Sequence, residues 1–137
     1  MKTLKERRME LAYEMQGWID TEEKILAEFR DDLGEKRPSY VFTWSGRAVA
    51  AAASTEAYQI IKHYIEDISR ADSSVALLGI LEEILVEELA RRAEFPERST
   101  SPMSNLVHQE GTVAWAKALR WVRRRLDAEK RSANENE

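Results

Sequence analysis

Four carboxylates crowd one short stretch of this chain, at Glu82, Glu83, Glu87 and Glu88. On a helix, Glu83 and Glu87 fall one turn apart on the same side, a spacing that can hold magnesium against the phosphates of a nucleotide. An all-helical magnesium-dependent nucleotide hydrolase also needs a second wall for the metal, supplied by a Glu-x-x-Asp pair on a neighbouring helix. No such pair follows in this sequence. The cluster reads better as a solvated acidic face, with Glu87 to Arg91 and Glu88 to Arg92 as supporting pairs one turn apart. His63 and Asp67 are also one turn apart, but no His-Glu-x-x-His or Glu-x-x-His pattern adds a third ligand. His108 stands alone near the start of the last helical segment. There is no cysteine, so a thiol nucleophile, a disulfide framework and a Cys-ligated zinc are excluded. No Ser-His-Asp order or glycine-rich phosphate loop is present. The expectation is no catalytic residue, no metal, no cofactor and no small-molecule substrate: not an enzyme.

Basic residues carry the other signal. Lys117, Arg120, Arg124 and Arg131 share one face of a helix, with Arg123 and Arg125 at its edges and Trp121 alongside. Such a face could follow a nucleic-acid backbone or meet an acidic protein surface. The net charge is −4, which opposes attraction of the whole molecule to nucleic acid and favours protein. Glu88 and Arg92 project on the same side as Leu81 and Leu85, where a helix meets its neighbours. A charged pair there is either covered and paired or turned towards another chain. Trp18 lies on an incomplete heptad stripe with Leu4, Leu11 and Ile25. The expected interaction set is therefore Trp18, Glu88, Arg92, Lys117, Arg120, Trp121 and Arg124, serving a protein partner or a homo-oligomer.

The elements that must position these residues are helical. Ala, Leu, Glu and Arg are abundant, and there are only three prolines and five glycines in 137 residues. The spacing predicts an all-α, single-domain bundle of four or five helices over residues 1–131, with one extended aromatic loop and a frayed tail at 132–137. Residues 73–95 form a central helix, burying Leu78, Leu81 and Leu85 and stopped by Pro96. Residues 3–33 read as two helices, 3–16 and 21–32, split at Gly17 with Asp20 and Glu23 as a capping box. One continuous helix of about 45 Å is the alternative. Pro38 and the alternation of Tyr40, Phe42 and Trp44 predict an extended loop over 34–46. A third helix, 47–70, has Val49, Ala53, Ala57, Ile60, Tyr64 and Ile68 as its core stripe. A fifth starts at Ser104 or Asn105 and runs to Lys130, with Trp115, Leu119, Val122 and Leu126 inward. No apolar run is long enough to cross a membrane, and the basic N-terminus lacks the apolar segment of a secretory signal. A cytoplasmic or virion location is expected, not a secreted one.

Two segments carry a resemblance. Residues 41–49 (VFTWSGRAV) and 108–119 (HQEGTVAWAKAL) resemble the two anchor motifs of a family of small virion-associated structural proteins of short-tailed bacteriophages. Phe42, Gly46, Arg47 and Val49 match its aromatic-x-x-x-Gly-Arg-x-Val segment, and Glu110 with Gly111 matches a Glu-Gly pair that opens a helix. The connection between the motifs is longer here, because it contains the whole central helix. The resemblance implies a structural virion protein without catalysis. The functional expectation is a non-enzymatic structural or interaction subunit of an assembly, a bacteriophage virion component. A small nucleic-acid-binding or regulatory protein using the basic C-terminal helix is the alternative, and the nucleotide hydrolase comes third.

Overall fold

The computed structural model describes residues 2–32, 38–94 and 102–135, with the side chains at 32, 38–45, 103 and 135 left aside. Four helices account for the described chain: α1 (Leu4–Asp32), α2 (Pro38–Asp67), α3 (Ser74–Glu94) and α4 (Pro102–Glu135). The bundle is all-α, as the composition predicts.

α1 is one helix, not the expected pair. It opens on an N-cap, with the Thr3 hydroxyl accepting the Glu6 N–H at 3.1 Å and donating to the Glu6 carboxylate at 3.3 Å. Gly17 stays helical because Leu11, Met15 and Ile19, on either side of it, are all at most 2 % exposed. Burying each contributes about 1.5–3 kcal/mol, against about 1 kcal/mol lost by a helical glycine. Asp20, expected to cap a second helix, instead accepts the Gln16 amide at 2.8 Å. Nor does α1 overhang its neighbours: its 29 residues lie beside 30 in α2 and 34 in α4.

α2 begins at Pro38, whose missing N–H costs nothing at the first position of a helix. The loop expected over 34–46 is thus helical from 38 onward, while residues 34–37 lie outside the described chain. The expected core stripe of α2 holds only in part: Ala53 and Ala57 are buried and Ile68 packs against the core, but Ile60 and Tyr64 do not. Tyr58, Ile61 and Ile65 are 2 % exposed or less, whereas Ile60 and Tyr64 are each 38 % exposed. α2 thus has two apolar stripes, one buried at Tyr58, Ile61 and Ile65 and a second that is buried at Ala53 and Ala57 but exposed at Ile60 and Tyr64.

In α3 the expected core and start hold, and the expected stop at Pro96 lies outside the described residues. The Ser73 hydroxyl caps its start by accepting the Ala76 N–H at 3.1 Å. Leu77, Leu78, Leu81 and Leu85 are almost wholly buried. α4 buries Trp115, Leu119, Val122 and Leu126 as expected, but continues to Glu135. Most of the expected frayed tail is therefore helix, and residues 136–137 lie outside the described chain.

α1 packs on α2, and both α2 and α3 pack on α4. α1 and α4 are joined by long side chains instead of close backbones. Trp121 Nε1 donates to Glu14 at 2.8 Å, Arg125 meets Glu10 at 2.8 Å, and Arg7 meets Glu129 at 3.1 Å. Among the described residues no helix is long and apolar enough to cross a membrane.

Candidate protein-docking trough

The residues expected to act together part company in the fold. Trp121 is 3 % exposed and belongs to the core, a correction to its expected place beside the arginines. Its ring turns towards α1, where it lies 5.5 Å from Trp18, and Trp18 in turn meets Tyr58 edge-on at 5.2 Å. Trp18 is half-buried in this cluster and is likewise taken up by the fold. Burial and the negative charge of Glu22, against an opposing bond to Ser54, push the Tyr58 hydroxyl up to about 12.

Lys117 is exposed, but its ammonium sits over the Trp18 ring at 5.1 Å. It also opposes the effect of burial on Glu22, whose carboxyl nevertheless lies above its ordinary value. Arg123 pairs with Glu82 at 3.3 Å. Arg120 and Arg124 are exposed, and no bond among the described residues engages either. The acidic cluster is divided too: Glu82 faces α4, Glu88 is paired, and Glu83 and Glu87 are exposed with no partner among the described residues. Arg91, expected to pair with Glu87, pairs with Glu88 instead. His63 and Asp67 are exposed on α2. Among the described residues no group of three or more His, Asp or Glu is placed to hold a metal ion.

Glu88 and Arg92 follow the covered-and-paired course. Arg92 Nε donates to Glu88 at 3.0 Å, and Arg91 pairs with the same carboxylate. Arg92 Nη1 reaches across to α4, donating to the His108 carbonyl at 3.4 Å and the Thr112 hydroxyl at 3.3 Å. The guanidinium also lies 6.0 Å from the centre of the Trp115 ring. Gly111 makes room for it, since a Cβ there would stand 3.2 Å from Nη1. This clamp ties the end of α3 to the start of α4, so Glu88 and Arg92 act inside the subunit.

Around the clamp runs a trough that the sequence reading did not find. α2 forms one wall with Ala53, Ala57, Ile60 and Tyr64, and α3 the other with Ile84 and Glu87. Trp115 of α4 is the floor. Two hollows of about 160 and 450 Å³ meet at that ring. Ile60, Tyr64 and Val107 remain 38–41 % exposed along it. The signal was present in the sequence: the stripe assigned to the core of α2 is the wall of this trough. An exposed apolar strip in a concave setting, with Glu56 and Glu87 on opposite rims, suits the apolar face of a partner helix. Compared with known proteins, the chain matches no family model, and neither a curated protein nor a solved structure gives a match.

Proposed function

We propose that this chain is a non-enzymatic interaction subunit of a protein assembly, docking a partner helix in the trough between α2 and α3. The observation that carries the reading is the second apolar stripe of α2, left uncovered at Ile60 and Tyr64 beside Val107. The resemblance of residues 41–49 and 108–119 to the phage motifs directs the proposal towards a virion component. In its favour, Gly46 and Arg47 are exposed on α2. Against it, Glu110 and Gly111 lie well inside α4, and Gly111 already has a role in seating Arg92.

The nucleic-acid alternative rests on Arg120 and Arg124. Two phosphate contacts give a salt slope of only about −1.8 on duplex DNA, too shallow for useful affinity at physiological salt. The test is a display selection of helical peptides against the purified chain. Binders should be recovered, and Ile60→Asp with Tyr64→Asp should abolish their binding while circular dichroism stays unchanged. Recovery of no binders, or of binders indifferent to both changes, refutes the trough. DNA binding at physiological salt that is lost on reversing Arg120 and Arg124 to Glu would favour the alternative. Magnesium binding lost in Glu83→Gln with Glu87→Gln would favour the hydrolase.

A further inference from the structure

Outside this trough, the described surface exposes a pair of large apolar side chains on α1. On α1, Met9 is 64 % exposed and Tyr13 is 83 % exposed, the two most exposed large apolar side chains. They lie one turn apart, with Lys5 one turn before them, and no bond among the described residues engages Lys5. The α2 wall of the trough repeats this spacing with complementary chemistry. Glu56, Ile60 and Tyr64 are likewise successive turns of one helix, and Glu56 is exposed with no partner among the described residues.

Building on the docking role proposed above, we infer that the trough receives the Lys5–Met9–Tyr13 edge of a second copy of this chain. Laid alongside α2 in the same direction, that edge brings cation to anion, aliphatic to aliphatic and aromatic to aromatic, all in one register. Met9 enters the smaller hollow, beside Ala57, Ile60 and Val107. Its flexible thioether suits such an irregular site. Tyr13 enters the larger hollow, where the ring rests near Tyr64 and the phenol can donate to Glu87. Lys5 meets Glu56 on the rim of the smaller hollow.

Knob and trough are different surfaces of the subunit, separated by the α1–α2 interface. The contact is therefore heterologous, and it propagates head to tail into a ring or a filament. This architecture also explains why the monomer leaves both features uncovered.

Two variants test the inference. Met9→Asp with Tyr13→Asp removes the knob; Ile60→Asp with Tyr64→Asp removes the receptor. All four side chains are exposed, and circular dichroism checks that both variants keep the fold. In analytical ultracentrifugation the wild type should rise with concentration to at least twice the 15.8 kDa monomer mass. Each variant alone should remain monomeric. Their equimolar mixture should form a one-to-one dimer and nothing larger, since one intact knob meets one intact trough. Lys5→Glu should weaken wild-type association, and Glu56→Lys in the same chain should restore it. A wild type that stays monomeric up to about 1 mM, the weak end of specific association, overturns the inference. So does a knobless variant that still dimerises, which would mean trough against trough. Neither result bears on the peptide selection, which tests the trough by itself.

Discussion

Replacing Gly17 with alanine decides between one N-terminal helix and two, because the two arrangements give opposite signs. In the continuous α1, Gly17 is exposed, its backbone is helical, and a Cβ built there meets nothing within 4 Å. The side chain therefore adds no clash, and the substitution removes the entropy a glycine loses on entering a helix. That contributes about 0.5–1 kcal/mol of added stability. The Thr21 hydroxyl donates to the Gly17 carbonyl at 3.0 Å, a backbone acceptor that the change leaves in place. For a chain of this size, 1 kcal/mol corresponds to about 3–5 °C in melting temperature. If α1 instead ended at Gly17 in a left-handed cap, alanine would be forced into that conformation and would cost about 1 kcal/mol. Urea unfolding followed by far-ultraviolet circular dichroism resolves the two. Unchanged slope with a higher midpoint is the expected result, and a lower midpoint would refute the continuous helix.

Leu81, fully buried at the centre of α3, should cost about 2–5 kcal/mol when cut back to alanine. A loss below about 1 kcal/mol by urea unfolding would mean that the core is misplaced. Glu10 gives a pH prediction. Hydrogen bonds from Lys2 and Arg125 hold its carboxyl at about 2, against an ordinary 4.5. A depressed carboxyl adds stability that is fully present above 4.5 and is lost as pH falls towards 2. Glu10→Gln should therefore lower stability at neutral pH and flatten the acid limb of the stability profile between those values. A variant with the wild-type acid limb would show that the carboxylate is not held by these partners.

How far the sequence reveals the fold depends on whether local pattern or tertiary competition decides each element. The α3 core was legible because Leu78, Leu81 and Leu85 lie opposite the charged positions Glu83, Glu87 and Glu94, and Ser73 marks the helix start. The inward face of α4 was legible for the same reason. At Gly17 a local signal for a break was overridden by buried neighbours on both sides. At Pro38 a local signal against helix was really a helix start, since proline is excluded from helix interiors but welcome at the first position. α2 shows a different difficulty. Both its stripes are apolar, and periodicity measures only that a face is apolar, not which neighbour covers it. The trough was thus visible as residues but not as a site. Trp121 was misplaced because its proximity in sequence to Arg120, Arg123 and Arg124 concealed that its ring points to α1.

The same contacts explain why the surplus of arginine on α4 does not by itself signal nucleic acid. α1 and α4 approach only through side chains, so something long and polar must bridge them, and Arg125, Trp121 and Arg7 do so against Glu10, Glu14 and Glu129. On the opposite flank Arg123 serves the α3–α4 seam by meeting Glu82. Lys117 covers an indole, and Arg131 Nε donates to the Asp127 carbonyl at 3.4 Å. Arg125 and Arg7 would have to give up part-buried partners to reach a phosphate, whereas the exposed bonds of Arg123 and Arg131 contribute little either way. Ile60, Tyr64, Met9 and Tyr13 have no such internal engagement to lose, and covering them only removes apolar area from water. Arg120 and Arg124 have no such bond among the described residues, and the exposed apolar side chains are the surface that the proposed protein contact would cover.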